Sequence, residues 1–412
     1  MSSVITINYK SLLVKNDPIY PELMRALAIV ANFIKKNKLI LVGGMALDMA
    51  LRMKNTSIYD DDELPDYDFY SPDSYQDAIK LGKEFCKAKL PNVSIIRGMH
   101  ITTMRVRINF VPVADITYCP KIIFDNQLET LNYQGFRVLH PHYQIIDQHI
   151  AFAYPYRNPQ LGGNVILWKK YSSRLEIILT TYPLPMIGFC ENETFNYEFD
   201  PKIFKDICIA GYAAHSFYDN TAEIVKNKLV LKMHKPELTI LTDTFDDTVK
   251  MLEKNFKTKA SFYSPYLGRF QQSALMNVKN SLAIKIYDNK NDYVGSSIVK
   301  IGNFEFNIVS VNWTQMYYLH IKEYCGYCIL QENNNCKNSI SIKIDPDIRL
   351  PITYYGKNNI PDHVEYSKKI FDNPEAKILV PKNIYPELNK DCEAEGIFLY
   401  DNEYFEIDGE MH

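Results

Sequence analysis

The sequence predicts an α+β protein of two lobes, and three observations support this prediction. The chain has 412 residues, enough for two or three domains. Its first part alternates short apolar strands with amphipathic helices. A linker containing Pro183 and Pro185 then separates two segments of similar pattern. We therefore expect domains at 1–185 and 186–345, with a proline-rich C-terminal segment at 346–412 packing on the body.

Composition excludes several functional classes. Hydrophobic residues make up 46% of the chain and charged residues 23%, which is typical of a globular protein. The formal net charge of −3 excludes binding of nucleic acid through bulk positive charge, so such contacts must come from local patches. The 8 cysteines are scattered, which indicates a reducing compartment. Because the sequence has neither a long apolar run nor a signal-peptide pattern, we expect no membrane contact and no secretion.

The first lobe begins with a helix and with a strand that ends in two glycines. Apolar residues at helical spacing predict a helix at 18–36, and residues 39–42 predict a short strand. Gly43 and Gly44 follow the strand and precede a second helix. Backbone N–H groups at such a turn can approach a phosphate, and the helix N-terminus adds partial positive charge. A purely structural glycine turn is the alternative explanation.

Acidic residues occupy two further predicted strands. Asp66 and Asp68 flank Tyr67, and because side chains alternate along a strand, the two carboxylates point to the same face. Such a pair suits Mg²⁺, which also coordinates substrate phosphate oxygens. Asp115 lies among apolar residues on another strand, where an unpaired carboxylate would be costly, so we expect it to complete a two-metal site. An exposed acidic strand end is the alternative explanation for the first two residues.

The order of these elements is typical of a nucleotidyltransferase active site. The segments LVGGMALDMAL, PDYDFYSP, HITTMRVR, VADITYCP and HIAFAYPYRNP resemble the catalytic poly(A) polymerase subunits of large nucleocytoplasmic DNA viruses, those of African swine fever virus and mimivirus among them. The resemblance runs in order from about residue 20 to residue 185. The chain also resembles the poxvirus enzymes, but more distantly.

The resemblance implies a polymerase β-like nucleotidyltransferase domain followed by a second, catalytically inactive one. It implies that the enzyme adds AMP from ATP to the 3′ end of viral mRNA without a template, with Mg²⁺ or Mn²⁺ as cofactor. Carried over by position, Asp66, Asp68 and Asp115 are catalytic and bind the metal, and Gly43 and Gly44 bind the nucleotide. The implied location is the viral factory in the host cytoplasm, with packaging in the virion.

Basic side chains are further candidates for phosphate contacts. Lys170 and Arg174 share a helix face, with Lys169 beside them, and we expect these three residues to bind the triphosphate. A solvated helix face is the alternative. Arg105 and Arg107 share a strand face and are candidates for nucleotide or RNA contact, with pairing to a buried acidic neighbour as the alternative.

Further RNA contacts require a basic patch. The best stretch has four lysines among apolar residues: Lys226, Lys228, Lys232 and Lys235. Aromatic side chains can stack on bases. Tyr67, Tyr70 and Tyr118 flank the acidic residues and are candidates for such stacking, and ordinary packing is the alternative.

The second lobe repeats the pattern of the first at an offset of about 170 residues. The glycine turn recurs at Gly211, and the helix that contains Asp77 recurs as the helix that contains Asp247. The same offset places Pro236 and Leu238 at the positions of the paired aspartates. This arrangement predicts a duplicated lobe without a metal site.

Several questions stay open at the level of sequence. The acidic site does not specify the base, so a uridylyl- or CCA-adding enzyme is the alternative activity. A non-catalytic RNA-binding subunit is the alternative outside the enzymes. The sequence does not choose between a homodimer and a small processivity subunit as partner. Cys325 and Cys328 lack a fourth zinc ligand at short spacing, so we expect ordinary thiols there.

Overall fold

The computed structural model describes most of the chain. The described residues are 15–61, 63–98, 102–154, 165–184, 194–263, 265, 267, 271–279, 281–290 and 294–321, together with strands at 353–355, 398–400, 406–407 and 410–411. Only the backbone is described for residues 165–169 and for those four strands. Among the described residues, no helix has both the length and the apolar character needed to cross a bilayer.

The chain divides into two compact units. The first comprises Met1–Pro141, Tyr266–Gly268 and Asn373–His412, and the second comprises His142–Pro265 and Arg269–Asp372. The domain bounds expected from the sequence divide the chain differently and stay a prediction.

Within the described residues, the first unit combines one large sheet with four helices. Its elements in chain order are α1 (Tyr20–Lys36), β1 (Ile40–Val42), α2 (Gly43–Arg52), β2 (Asp68–Ser71), α3 (Ser74–Lys87), β3 (Ser94–Arg97), β4 (Thr103–Ile108), β5 (Val111–Tyr118), α4 (Lys121–Asn126), β6 (Thr130–Tyr133) and β7 (Phe136–Leu139). The helix predicted at 18–36 and the strand predicted at 39–42 are thus present with nearly the expected bounds.

The eight-stranded sheet of this unit is mixed. Its order is β19-β3-β4-β5-β2-β1-β7-β6, where β19 is Phe398–Tyr400. The central pair β2 and β5 is parallel, and β1 runs antiparallel to β2. Helix α1 packs on α3 and β5 and buries Ala26, Val30 and Ile34 completely. This burial fixes the central strands, which carry the acidic residues.

The second unit also combines an eight-stranded sheet with helices, and it has an additional three-stranded sheet. Its elements are α5 (Pro141–Ala153, of which Pro141 belongs to the first unit), α6 (Val165–Thr181), β8 (Phe195–Phe199), a 3₁₀ turn (Pro201–Phe204), β9 (Cys208–Ala210), α7 (Gly211–Tyr218), β10 (Glu223–Val225), β11 (Lys228–Met233), β12 (Glu237–Thr242), α8 (Phe245–Phe256), β13 (Ser261–Tyr263), β14 (Ser273–Asn277), β15 (Ala283–Asp288), β16 (Val294–Ile301), β17 (Phe304–Val309), α9 (Val311–His320) and β18 (Thr353–Tyr355). Strands β20 (Glu406–Ile407) and β21 (Glu410–Met411) form a separate ribbon within the first unit.

The two large sheets have similar topology. The second has the order β13-β14-β15-β12-β9-β17-β16-β18, and its strands β14-β15-β12-β9-β17-β16 repeat the pairing of β4-β5-β2-β1-β7-β6. Both sheets have a parallel pair at the same two places, β2 with β5 and β1 with β7 in the first, β12 with β15 and β9 with β17 in the second. This similarity confirms the predicted fold class, an α+β protein with two related lobes.

The register corrects the predicted correspondence between the lobes by one residue. Val42 pairs with Asp68 in the first sheet, and Ala210 pairs with Thr239 in the second. Thr239 therefore takes the position of Asp68, where the sequence offset placed Leu238. The offset of 170, which came from the similarity of the two helices, is therefore one residue too short at this strand, where Thr239 lies 171 positions after Asp68.

Candidate active site

The turn between β1 and α2 requires glycine at position 43. Gly43 has a φ of +69°, a left-handed conformation that is strained for a residue with a side chain. A Cβ atom at this position would also collide with Oδ2 of Asp68. The glycine thus lets the backbone lie directly against a carboxylate. This contact joins two predicted site residues.

Asp68 and Asp115 lie side by side on adjacent parallel strands. They are register partners, and the backbone N–H of Asp115 donates to the carbonyl of Tyr67 at 3.0 Å. Both residues are half-buried. Asp66 lies two residues before Asp68, just outside the strand, and is exposed. The fold therefore brings two of the three predicted metal ligands together and places the third next to them along the chain.

Arg105 holds both oxygens of Asp115. Its Nε donates to Oδ1 at 2.8 Å, and its Nη2 donates to Oδ2 at 2.6 Å. This bidentate geometry is the strongest arrangement for a guanidinium and a carboxylate. The pairing with an acidic neighbour, which the sequence left as an alternative, is the arrangement present here. It fixes the orientation of the carboxylate.

Arg107 lies in different surroundings. It is buried, its Nε donates to Oγ of Ser94 at 3.2 Å, and its guanidinium lies over the ring of Phe110 at 5.8 Å. A β-bulge between Val106 and Arg107 shifts the register of β4 against β5. Burial of this side chain favours a structural role over contact with RNA.

No side chain in the described part of the chain caps the amide groups at the start of α2. The residue at the N-cap is Val42, which cannot accept a hydrogen bond from the first turn. In contrast, Asp73 caps α3 and accepts from the backbone N–H of Gln76. Uncapped N–H groups together with the helix dipole form a favourable site for an anion. Gly43 and Gly44 supply these groups beside Asp68.

An ion-pair clamp that was not predicted from the sequence orders the segment between α2 and β2. Asp48 is buried and accepts from the backbone N–H groups of Ile58 and Tyr59 at 2.8 and 3.0 Å. Arg52 donates to both Asp48 and Asp61. These hydrogen bonds, first that to Asp48 and then that to Asp61, raise the pKa of Arg52 above its usual range. The i, i+4 spacing of aspartate and arginine is the signal that could have predicted the clamp.

The tyrosines beside the acidic residues have different exposures. Tyr67 and Tyr70 are buried, and the Tyr67 ring stacks on Phe136 with centroids 6.2 Å apart. Burial raises the pKa of Tyr67. Tyr118 is half-buried. The packing alternative therefore fits the first two, and stacking on a base is open only to the third.

The predicted phosphate ligands on α6 lie in the second compact unit. Lys170 is exposed and Arg174 is half-buried. The side chain of Lys169 lies outside the described residues. Their contact with a triphosphate stays a prediction.

The four lysines around β11 are all exposed. Lys226 forms the turn between β10 and β11 together with Asn227, each with a left-handed φ. Lys228 and Lys232 alternate along β11 with apolar residues whose side chains are buried, namely Leu229, Leu231 and Met233. The hairpin thus presents positive charge on its exposed face, as expected of a surface that binds a polyanion.

The positions in the second lobe that correspond to the acidic site carry different side chains. Lys285 is the register partner of Thr239 and so takes the place of Asp115. Its Nζ lies 2.7 Å from Oε2 of Glu237 and 2.7 Å from the hydroxyl of Tyr317. Glu237 takes the place of Asp66. The ammonium of Lys285 therefore neutralises the carboxylate of Glu237. The predicted thiols Cys325 and Cys328 lie outside the described residues.

Comparisons with known proteins agree with the resemblance seen in the sequence. Residues 28–158 match a family model described as "Poly(A) polymerase catalytic subunit". The chain is 37% identical over 232 residues to a protein from a Kenyan pig isolate of African swine fever virus, named "Putative poly(A) polymerase catalytic subunit". That match covers 56% of this chain and 47% of the relative, so the chain spans about half the length of the curated relatives it matches.

More distant proteins extend this similarity. A protein of the same name from Acanthamoeba polyphaga mimivirus is 25% identical over 228 residues, covering 52% of this chain and 38% of that protein. The crystal structure of the Megavirus polyadenylate synthase matches with a TM-score of 0.65 at 18% identity, covering 98% of this chain and 89% of that one. This last match concerns the fold alone. The predicted resemblance to the viral poly(A) polymerase family is thus confirmed, and Gly43, Asp68 and Asp115 fall within the residues that match the family model.

Proposed function

We propose that this chain is a polynucleotide adenylyltransferase that adds AMP from ATP to the 3′ end of RNA without a template. The observation that carries the proposal is the register pairing of Asp68 and Asp115 beside the left-handed turn at Gly43. The family match over residues 28–158 supports the same activity.

The described donors fit a hard divalent cation. Asp68 and Asp115 offer carboxylate oxygens from adjacent strands, and Asp66 offers a third carboxylate from the same chain segment. Oxygen ligands of this kind are preferred by Mg²⁺ and Mn²⁺. When bound there, such an ion would supply Lewis acidity for the attacking hydroxyl and charge neutralisation for the leaving pyrophosphate. We propose these three residues as its ligands.

The residues of the chain have separate tasks in this reaction. The uncapped N–H groups at Gly43 and Gly44 bind phosphate oxygens of ATP. Arg105 keeps the Asp115 carboxylate in one orientation, so it acts as a positioning residue. The cations Lys169, Lys170 and Arg174 are proposed to bind the triphosphate.

RNA contact is assigned to the exposed lysines of the β10–β11 hairpin. Lys226, Lys228 and Lys232 make no ion pair with another described residue, and a phosphate backbone would neutralise them. Replacing Lys226, Lys228, Lys232 and Lys235 together with glutamine tests this assignment. We expect weaker RNA binding and shorter tails with ATP affinity unchanged. An unaltered affinity for RNA would contradict it.

The setting of the reaction is proposed from the viral relatives. We infer that the enzyme acts on viral mRNA in the host cytoplasm, at the viral factory, and is packaged in the virion. A second copy of the chain or a small processivity subunit is the expected protein partner.

Incubation with a short RNA primer and each nucleoside triphosphate in turn tests the proposed activity. With Mg²⁺ or Mn²⁺ present, we expect the primer to be extended with ATP and not with the other three nucleotides. No extension is expected when EDTA is added. Extension by UTP would instead support a uridylyltransferase, and three-residue extension by CTP and ATP together would support a CCA-adding enzyme. Absence of extension by any nucleotide, together with retained RNA binding, would support a non-catalytic subunit.

A further inference from the structure

A second cluster of metal-ligating side chains lies in the second compact unit. His215, Asp219 and His234 each offer one ligand atom, and these atoms all lie within 4.8 Å of one another. His215 and Asp219 are one turn apart at the C-terminal end of α7, and His234 directly follows β11. The acidic residues proposed for catalysis are in the other unit, so the cluster is a separate feature.

His215 is the least explained polar side chain of this cluster. It is 1% exposed, and neither Nδ1 nor Nε2 makes a hydrogen bond within the part of the chain that the structure describes. Leaving a buried polar group unsatisfied costs about 1–3 kcal/mol, so such groups normally have a partner. Its imidazole faces the carboxylate of Asp219, with Nδ1 at 3.5 Å from Oδ2, and the ring of His234, with centroids 4.8 Å apart.

The carboxylate of Asp219 is already oriented toward His215. Its Oδ1 accepts hydrogen bonds from both the backbone N–H and the hydroxyl of Thr221, at 3.1 and 2.7 Å. Oδ2 is the oxygen that faces the imidazole. Supporting hydrogen bonds of this kind commonly hold a metal-binding carboxylate in place.

The geometry points to a binding site for a divalent transition metal, Zn²⁺ in the first place, formed by His215, Asp219 and His234. Two imidazoles and one carboxylate are a ligand set that suits Zn²⁺ and leaves a further position for water. With bonds of about 2.0 Å, tetrahedral ligands lie roughly 3.3 Å apart. Small rotations of the two rings would therefore bring the present atoms to the metal.

The surroundings are consistent with this ligand set. Burial lowers the pKa of His215 to about 4. Burial also lowers the pKa of His234. Burial thus favours the uncharged ring in both residues, and the uncharged ring is the form that coordinates a metal. A metal held here would connect the end of α7 to the end of β11 and stabilise the second lobe.

Titration of the full-length chain with Zn²⁺ tests the inference. The protein is first stripped with a chelator, and excess Mg²⁺ is then added to occupy the carboxylates of the first unit, because Mg²⁺ does not favour imidazole ligands. Calorimetry is expected to show one equivalent of Zn²⁺, and the unfolding midpoint should rise with Zn²⁺ concentration. Absence of binding would overturn the inference.

Variants then assign the site. His234→Asn and Asp219→Asn, both at half-buried positions, should each weaken Zn²⁺ binding at least about 100-fold, and Thr221→Val should weaken it about tenfold. Because His215 is buried, His215→Asn is interpreted only after circular dichroism shows a native fold. Binding should be unchanged in two controls, His320→Asn and the pair Cys325→Ser with Cys328→Ser.

A spectroscopic measurement separates coordination from adventitious binding. Co²⁺ bound in the wild type should give the intense visible absorption of a tetrahedral complex, and this absorption should be absent in His234→Asn. Zn²⁺ affinity that is the same in wild type, His234→Asn and Asp219→Asn would contradict the assignment. Loss of binding in the cysteine pair with retention in the histidine variants would contradict it as well.

Discussion

At the scale of single residues, the candidate site depends on Gly43. Its left-handed φ and the absence of a Cβ allow Asp68 to lie against the turn that opens α2. The second lobe has the same feature at Gly211, with φ of +58° and a Cβ position 2.9 Å from Oγ1 of Thr239. Both glycines are therefore required by conformation, but only Gly43 touches a proposed metal ligand.

Substitution at these two glycines should separate stability from activity. Gly43→Ala and Gly211→Ala should each lower the free energy of unfolding by about 1–2 kcal/mol, because alanine is strained at positive φ. Only Gly43→Ala should also reduce the rate of AMP incorporation, since its methyl group displaces Asp68. Urea unfolding and primer extension measure the two effects. Equal activity losses in both variants would contradict this explanation.

Arg105 was expected from the sequence to contact nucleotide or RNA, with pairing to an acidic residue as the alternative. Its two hydrogen bonds to Asp115 support a positioning role. Replacing it with glutamine should lower kcat about tenfold and leave the KM for RNA unchanged, because the carboxylate loses its fixed orientation. Steady-state kinetics at varied primer concentration provide the measurement. A raised KM for RNA with unchanged kcat would show contact with the primer instead.

At the scale of elements, the sequence predicted more of the fold than of the site. Period and turn signals located α1 and β1 to within about two residues, since these elements bury continuous apolar faces. Strand alternation singled out Asp66 and Asp68, and an apolar setting singled out Asp115. The register of β2 with β5 places Asp68 beside Asp115. The correspondence between lobes was missed by one residue at β12, because strand register is set by pairing between strands, which a similarity between two helices does not specify.

The same limit applies to clusters assembled from separate elements. His215 and His234 come from a helix and from the end of a strand, and no local spacing relates them. The cation Lys285 likewise meets Glu237 only because β12 and β15 are adjacent and parallel. Such contacts require a three-dimensional structure.

Removal of the Lys285 ammonium should destabilise the second lobe. Lys285→Met leaves Glu237 half-buried without its cation, and we expect the free energy of unfolding to fall by about 2 kcal/mol. The matched control is Lys300→Met, which breaks the exposed pair with Glu305 and should leave the free energy of unfolding nearly unchanged, because solvent screens exposed ion pairs. Chemical denaturation of both variants makes the comparison. Equal losses would show that Lys285 acts as an ordinary surface charge.

At the scale of the whole molecule, two lobes of similar topology carry different chemistry. One presents carboxylates on adjacent strands, and the other holds a lysine at the equivalent position. The match to the Megavirus polyadenylate synthase over 98% of the chain indicates that this two-lobed fold is shared along nearly its full length.

Global stability should depend on pH through His149. This residue is fully buried, and its Nδ1 lies 3.1 Å from Oδ1 of Asn312. Burial lowers its pKa from 6.5 to about 4, so the folded state favours the neutral ring. Stability from this group is therefore present above pH 6.5 and is lost as the pH falls toward 4, by up to about 3 kcal/mol. His149→Gln should flatten the pH dependence of unfolding in this window, and an unchanged slope would contradict the assignment.

The most direct test of the central proposal compares single-turnover rates of AMP incorporation in carboxylate variants. Asp68→Asn and Asp115→Asn should each lower the rate at least roughly a thousandfold, because each removes a proposed ligand worth several kcal/mol in the transition state. Asp125→Asn is the matched control, since Asp125 is exposed on α4 and pairs with Lys121, and its rate should stay within about twofold of wild type. If either site variant kept more than about a tenth of the wild-type rate, the paired aspartates would not be the catalytic centre.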